Sequence, residues 1–182
     1  MSQNIIPCKS VLNIEQKKKI RDWIFHKPGI HHAVEFLSSE YQIQITADPD
    51  VVKGFERDSS NIPGNAEILC YPINEEESAV ILTYCQNAKI PLTIAAGRTN
   101  LNGSATPNGG MVMSIEKMTH PEPQLDLNAG CISSPVGIYL EDMRNAALQQ
   151  SQNKLHFPVN PTSRKEAMMG GAISCNASGF VP

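Results

Sequence analysis

Residues 66–107, AEILCYPINEEESAVILTYCQNAKIPLTIAAGRTNLNGSATP, carry the pattern from which the fold can be inferred. The run AEILCYP is apolar and ends at Pro72, which is typical of a buried strand. INEEESAVILTYCQNAK predicts a helix, with its glutamates in the first turn, where the helix dipole favours negative charge. IPLTIAA predicts a second strand. A strand, a helix and a strand within about 30 residues form a βαβ unit with a right-handed crossover.

The loop after the second strand, AAGRTNLNGSATPNGG at 95–110, carries many hydrogen-bonding groups and few bulky side chains. Gly97 and Gly103 permit backbone angles that other residues avoid, and they allow another molecule to approach the main chain. Consecutive free N–H groups suit phosphate oxygens, and Arg98 adds a formal charge. The loop predicts a diphosphate site, but taken alone it favours a polar β-turn with Asn-Gly chemistry.

A second loop of similar composition follows later, in LHFPVNPTSRKEAMMGGAISCNASGF at 155–180. Thr162 and Ser163 are expected to cap a helix-like turn that presents free N–H groups to an anion. Because each loop follows a strand, the pair predicts one elongated ligand that is held from both sides. We expect the two loops to meet in space and to share a cleft.

The residues before this region predict a helical head. Residues 12–40 have the composition of two helices, the first capped by Asn13 and the second beginning near Pro28. The turn-rich stretch DPDVVKGFERDSSNIPGN is expected to link this head to the rest of the chain. Within it, Asp58 is expected to be structural and to fix the turn into the first strand.

The residues between the two loops predict further strands and one more helix. GMVMSIEKM is strand-like, and QLDLNAGCISSPVGIYLEDMRNAALQQSQ is expected to form a strand, a turn and a helix that opens at Gly137. Leu140, Met143 and Ala147 are expected on the inner face of that helix, and Met168-Met169 in the core.

Composition and charge exclude several classes of function. The 182 residues suit one domain, and a net charge of −3 without a basic stripe argues against nucleic acid or an anionic membrane as a partner. The N-terminus has no signal-peptide pattern, and no window approaches the run of about 18 apolar residues that spans a bilayer. The expected location is cytoplasmic. Neither GxGxxG nor GK[ST] occurs, so a Rossmann NAD site and a Walker-type ATPase fit poorly.

Metal binding and nucleophilic catalysis are not indicated either. No CxxC, HxH or HExxH spacing occurs, and no GxSxG motif is present. The cysteines are expected to be reduced and to serve as small buried apolar residues: Cys8, Cys70, Cys85, Cys131 and Cys175.

The two loops together resemble the N-terminal part of FAD-binding oxidoreductases of the vanillyl-alcohol oxidase or PCMH type. This group includes the flavin-binding component of glycolate oxidase and flavin-linked D-lactate dehydrogenases. The resemblance runs from about Gly54 to Gly179 and rests on FERDSS, on residues 66–107 and on HFPVNPTSRKEAMMGGAISCNASG. It implies an α+β fold with FAD between two subdomains. Residues 1–53 are then a helical N-terminal region, and residues 54–182 an FAD-binding domain that is incomplete at its C-terminus.

The resemblance also implies the cofactor contacts. The first loop is expected to wrap the diphosphate of FAD, and the second to line the flavin and the diphosphate from the other side. The implied residues are Ala96, Gly97, Arg98, Thr99, Asn100, Asn102, Gly103, Pro161, Thr162, Ser163, Gly170, Gly171, Ala172, Asn176 and Gly179. Arg98, Asn100, Ser104 and Ser178 stand where the family often has glycine or another small residue. No histidine lies in the first loop, so we expect non-covalent FAD.

The activity that the resemblance implies is hydride transfer from the α-carbon of a small 2-hydroxy acid, such as glycolate or D-lactate, to the flavin. No catalytic residue is assigned, because the family's substrate-binding part has no counterpart in these residues; it is a candidate for a separate chain. Two alternatives stay open. One is a non-catalytic remnant or subunit that binds a nucleotide or a partner protein. The other, ranked lower, is a cell-wall-type flavoprotein reductase that uses NADPH and an enol-ether substrate.

Overall fold

A four-stranded sheet forms the centre of the computed structural model, which describes residues 10–179. Its strands are β1 (Gln44–Thr46), β2 (Ile68–Tyr71), β3 (Leu92–Ala95) and β4 (Met111–Ser114), arranged in the order β1-β2-β4-β3. β4 is parallel to both β2 and β3, and β1 is antiparallel to β2. The two edge strands of the sheet are therefore β1 and β3.

The predicted strand–helix–strand unit is present as β2, α4 (Glu75–Ala88) and β3. The Asn74 side chain accepts a hydrogen bond from the Glu77 N–H at 2.8 Å, which starts the helix ahead of its acidic first turn. β4 lies between β2 and β3, so the α4 crossover passes over one strand position. This insertion depends on a strand that comes later in the chain, and residues 66–107 alone do not indicate it.

The helical head packs on the same face of the sheet as α4. It consists of α1 (Ile14–His26), capped by Asn13 as expected, and α2 (His31–Tyr41). Ile20, Phe36 and Tyr84 are fully buried in one cluster with the inward side chains of β2 and β4. The ring centroids of Phe36 and Tyr84 are 5.4 Å apart. The predicted boundary at residue 53 stays a prediction, but the head and the sheet share one hydrophobic core.

The segment that was expected to be only a link is partly helical and covers the other face of the sheet. Asp48 caps α3 (Pro49–Val52), and a 3-10 turn at Lys53–Phe55 follows. Val52 and Phe55 are buried against Leu69 and Val112. Asp48 and Pro49 favour a turn by composition, which suggested a loop. In the structure they start a helix, because Asp48 is its N-cap and Pro49 its first residue. Strand β1 was also not predicted, since three residues are too short for a periodic pattern.

The C-terminal part contains a hairpin and two helices. β5 (Gln124–Asp126) and β6 (Cys131–Ser133) pair in an antiparallel hairpin, where the sequence suggested one strand and a turn. α5 (Leu140–Gln150) starts three residues after the predicted opening at Gly137. A Cβ on Gly137 would lie 2.2 Å from the Ile115 carbonyl oxygen, so this glycine serves a close backbone contact.

The inward face of α5 agrees with the prediction. Leu140, Met143 and Ala147 are buried, and Met169 at the start of α6 (Met169–Ser174) packs against Leu140 and Met143. Met168 is buried as well. Burial of the two methionines therefore confirms that they belong to the core.

The expectation for the cysteines is half wrong. Cys70 and Cys85 are buried, but Cys131 and Cys175 are exposed, because they lie on the β5–β6 hairpin and at the end of α6. Cys8 lies outside the described residues. In residues 10–179 no helix is long and apolar enough to cross a bilayer, and no cluster of three metal-ligating side chains occurs.

Candidate functional site

The two predicted loops meet at the carboxyl end of β3. In the structure, β3 ends at Ala95, and the names first loop and second loop refer from here on to residues 96–106 and 155–179. A Cβ on Gly97 would lie 2.0 Å from the Glu166 carbonyl oxygen, and a Cβ on Gly171 would lie 3.0 Å from the Ala96 Cβ. Main chain therefore packs directly against main chain, and the loops form two walls of one cleft.

The cleft has a volume of about 660 Å³, which is within the range of small-molecule and cofactor sites. It opens beyond the carboxyl ends of the parallel strands β3 and β4, where open α/β sheets bind their ligands. Its floor is apolar and consists of Ile94, Met113, Ile115, Met118 and Val136. The cleft thus combines an apolar floor with two walls of small and polar residues.

Most of the residues that the resemblance implied line this cleft. Those are Ala96, Gly97, Arg98, Thr99, Asn100, Pro161, Ser163, Gly170, Gly171 and Ala172. Five others do not line it: Asn102, Gly103, Thr162, Asn176 and Gly179. The contact of each of these residues with FAD stays a prediction.

Two of the residues outside the cleft have a packing role. Gly103 has φ +76°, and a Cβ there would lie 2.8 Å from the Ile62 Cδ1. A Cβ on Gly179 would lie 2.2 Å from the carbonyl carbon of Asn160. Both glycines therefore allow close contacts within the protein.

The reason for glycine at position 97 differs from the sequence-based argument. Gly97 does not adopt a positive φ; the neighbouring Arg98 does, at 52°. Glycine is needed at 97 because the Glu166 backbone leaves no room for a side chain.

The Thr162 and Ser163 side chains are not the acceptors that the sequence predicts for the turn in the second loop. Instead, the Ser163 carbonyl oxygen accepts hydrogen bonds from the N–H groups of Glu166 and Ala167.

Arg98 is held by the segment that precedes β2. Its guanidinium carbon lies 4.0 Å from the Phe55 ring centroid, a cation–π geometry. Its carbonyl accepts hydrogen bonds from the Ser59 N–H at 3.0 Å and from the Ser59 hydroxyl at 3.1 Å. Arg98 is the one cationic residue among the described lining residues.

Asp58 is buried beneath the first loop, with 5% of its surface exposed. Its Oδ1 accepts hydrogen bonds from the Ser60 N–H at 2.9 Å and the Ser60 hydroxyl at 2.5 Å. Its Oδ2 accepts hydrogen bonds from the Asn100 amide at 2.5 Å and the Ala105 N–H at 3.2 Å. Burial alone raises the pKa of this carboxyl, but these hydrogen bonds outweigh burial and lower the pKa to about 2. Asp58 is therefore ionised at neutral pH.

Asn100 donates two hydrogen bonds within the protein through its amide nitrogen. Its Nδ2 donates to Asp58 and, at 3.0 Å, to the Asn102 Oδ1, which also accepts from the Ser104 N–H. By contrast, the main-chain N–H groups of residues 97–103 donate no hydrogen bond to any group within the described chain. The first loop therefore offers backbone donors to an anion, whereas its asparagine side chains stabilise the loop.

Sequence reasoning did not identify the floor of the cleft. Met113 belongs to β4, whose four residues are all buried. The sequence of this strand therefore shows no alternation of polar and apolar residues that would mark Met113 as part of a cleft. Ile115, Met118 and Val136 lie in connecting segments with no recognisable motif. The parallel pairing of β3 with β4 brings these residues together with Ile94 and the loops.

Comparison with known proteins identifies the family. A family model described as an FAD binding domain matches residues 66–181. A D-lactate dehydrogenase of Archaeoglobus fulgidus is 34% identical over 113 residues, which cover 62% of this chain and 24% of that protein. A UDP-N-acetylenolpyruvoylglucosamine reductase of Clostridium perfringens is 26% identical over 120 residues, which cover 65% of this chain and 36% of that protein.

A solved structure shares the fold. Alkyldihydroxyacetonephosphate synthase superposes with a TM-score of 0.68 at 14% identity, covering 84% of this chain and 30% of that one. The chain spans about a quarter to a third of the length of these relatives. The α+β fold and the likeness to D-lactate dehydrogenases, both expected from the resemblance, are confirmed. The chain belongs to the FAD binding domain family of FAD-linked oxidoreductases, and its cofactor is FAD.

Proposed function

We propose that the cleft between the two loops holds FAD without a covalent bond, and that the chain is the cofactor-binding part of an oxidoreductase for a small 2-hydroxy acid. The observation that carries the proposal is the backbone contact of Gly97 with Glu166, which makes both loops walls of one cleft. FAD is an elongated ligand with an anionic centre and flat rings, and the cleft offers a matching surface for each.

The diphosphate is proposed to lie against the first loop. Arg98 supplies a formal charge, and the free N–H groups of residues 97–103 supply hydrogen bonds. The Asp58 carboxylate carries the opposite charge nearby, but its two oxygens already accept four hydrogen bonds. These donors partly offset its negative charge, which weakens its repulsion of a bound anion.

The apolar floor is proposed to accommodate a ring system of the cofactor. Ile94, Met113 and Ile115 come from the ends of β3 and β4, and methionine adapts well to aromatic surfaces. Gly170 and Gly171 also line the cleft, and their lack of side chains lets this wall pack closely against Ile115, Val136 and Ala96.

Non-covalent binding is supported by the side chains of the cleft. No histidine is among the described lining residues, and Cys175 is the single thiol among them. Denaturation in acid is expected to release all of the flavin, and the mass of the denatured protein is expected to equal that of the chain alone. Flavin that stays attached after denaturation would contradict this part of the proposal.

The substrate class rests on the relatives. Identity reaches 34% with a D-lactate dehydrogenase and 30% with a UDP-N-acetylenolpyruvoylglucosamine reductase, and this difference supports a 2-hydroxy acid over the reductase alternative. When bound, FAD accepts a hydride from the substrate carbon. Because the chain covers 24% of that dehydrogenase, the substrate-contacting residues are proposed to come from further polypeptide, in the same or in a separate chain. The cytoplasmic location remains a prediction.

Titration of the purified chain with FAD, followed by flavin fluorescence, tests the cofactor site. Gly171→Leu is a suitable variant, because a Cβ there would have one close neighbour, the Ala96 Cβ at 3.0 Å, which a shift of a few tenths of an ångström relieves, and leucine favours a helix more than glycine does. The variant is expected to fold and to bind FAD at least about tenfold more weakly, a loss of about 1.4 kcal/mol.

Gly54→Leu is the matched control, because no atom lies within 4 Å of its Cβ position and Gly54 does not line the cleft. It should bind FAD like the wild type. A folded wild-type chain that ignores FAD would refute the proposal. If ADP displaces FAD with a Kd equal to that of FAD, the alternative of a nucleotide-binding remnant is favoured instead, because ADP has no flavin to place on the apolar floor.

A further inference from the structure

The segment 55–60 provides the surface on which the first loop is built. Phe55 lies under the Arg98 guanidinium, and Ser59 donates two hydrogen bonds to the Arg98 carbonyl. The Asp58 carboxylate accepts hydrogen bonds from Asn100 and Ala105, which lie 42 and 47 positions further along the chain. The family match begins at residue 66, so this segment lies before the part of the chain that defines the family.

A carboxylate suits this position better than an amide. Each oxygen of Asp58 accepts two hydrogen bonds, so all four partners are donors. An asparagine here would turn an NH₂ group towards two donors, whichever way the amide is oriented. The Ser60 hydroxyl can rotate to accept from that NH₂ group, but main-chain N–H groups cannot, so one or two donors would then lack an acceptor, at a cost of about 1–3 kcal/mol each.

The bonds of Asp58 hold the first loop at two points. Asn100 lies in the part of the loop that lines the cleft, and Ala105 lies at its end. Between them, the only other hydrogen bonds within the described chain are three local ones: from the Asn100 amide to the Asn102 Oδ1, from the Ser104 N–H to the same Oδ1, and from the Thr106 N–H to the Gly103 carbonyl. Without the carboxylate, part of the binding free energy of a ligand would be used to order the loop.

We propose that Asp58 is a positioning residue of the FAD site, which holds residues 98–105 in the shape that turns the free N–H groups of the first loop to the diphosphate. The inference rests on the proposed function, since it concerns the same cleft. It predicts that loss of the carboxylate weakens FAD binding in a chain that is still folded. A purely structural role predicts lower stability and unchanged affinity of the folded fraction.

The first test compares Asp58→Asn and Asp58→Ala with the wild type. FAD affinity is measured by fluorescence, and the folded fraction is measured by circular dichroism in the same solution. Both variants are expected to bind FAD about 10- to 100-fold more weakly than the wild type, since one or two buried donors lose their acceptor. Asp126→Asn is the matched control, because Asp126 also accepts two main-chain N–H groups, but in the exposed β5–β6 turn.

The result separates the two proposals. A folded wild type that does not bind FAD defeats the proposed function. A wild type that binds FAD, together with folded Asp58 variants of equal affinity, overturns only the role of Asp58.

The second test does not require removal of Asp58. Asn100→Asp places a second carboxylate against the Asp58 Oδ2, and at pH 7.5 the two charges repel. Near pH 5.5 the two carboxyl groups can share a proton, and the hydrogen bond between them replaces the one that the Asn100 amide donates in the wild type.

FAD affinity of this variant is therefore expected to recover about fivefold or more on acidification, a pairing effect of about 1 kcal/mol. The wild type should change less than about twofold, since its Asp58 stays ionised over this range. Equal pH profiles of the folded variant and the wild type would overturn the inference.

Discussion

The backbones of Gly97 and Glu166 are in such close contact that a Cβ on Gly97 would lie 2.0 Å from the Glu166 carbonyl oxygen. The two residues are far apart in sequence and belong to the two loops that line the cleft. Their contact joins the two loops through the backbone of the chain itself. A cleft held together in this way leaves less of the loops for a ligand to order, which lowers the ordering cost of binding.

Gly97→Ala should separate the loops. The added methyl cannot be accommodated by a side-chain rotation, because its neighbour is backbone. We expect a loss of about 1–3 kcal/mol in the free energy of unfolding, as for other overpacked sites, and FAD affinity lower by about tenfold. Urea unfolding and FAD titration measure the two effects. Gly54→Ala, which adds a methyl in open space, is the control, and equal behaviour of the two variants would contradict the loop contact.

Arg98→Gln should weaken FAD binding in a salt-dependent manner. Loss of a charge-assisted hydrogen bond costs about 1.5–3 kcal/mol, so we expect at least about a tenfold higher Kd at low salt. The difference from wild type should shrink at high salt, because ions screen the guanidinium–phosphate attraction. Lys27→Gln is the control: Lys27 makes a similar contact over the Trp23 ring at 4.5 Å, away from the cleft. Salt dependence equal to that of the wild type would argue against phosphate contact by Arg98.

Acid should remove the contribution of Asp58 to stability. Its folded-state pKa of about 2 is below the ordinary value of 3.8, so the stabilisation is present above about pH 4 and is lost as the pH falls towards 2. Asp58→Asn lacks this contribution, and its free energy of unfolding should therefore decrease less between pH 5 and pH 2.5. Urea midpoints at the two pH values measure this difference. A parallel decrease in both proteins would show that Asp58 is not the group responsible.

FAD should protect one cysteine from alkylation and leave another unprotected. Cys175 lines the cleft and Cys131 does not, although both are exposed. Burial raises the pKa of the Cys85 thiol to about 12 and that of Cys70 even further, so both should remain unmodified at neutral pH. Peptide mass spectrometry after brief iodoacetamide treatment should show Cys175 labelling reduced several-fold by FAD. Equal labelling of Cys175 with and without bound FAD would place the cofactor elsewhere.

Local patterns in the sequence predicted the main elements correctly. The Asn13 cap, the β2–α4–β3 unit with its acidic first helical turn and the inward face of α5 depend on residues within a few positions of one another. The loop composition also led to the correct family. These features follow from short-range hydrogen bonding and side-chain periodicity, which a linear sequence records directly.

The assembly of the site, by contrast, could be read only from the folded chain. The insertion of β4 between β2 and β3, the contact of Gly97 with Glu166 and the bonds from Asp58 to Asn100 and Ala105 join residues distant in the chain. Each depends on which surfaces pack together when apolar side chains leave water, and the spacing of residues does not encode that choice. Residue order was thus enough to specify the helices, the strands and the chemical character of the loops. Packing brought the loops into one cleft and selected which of their polar groups remain free for a ligand.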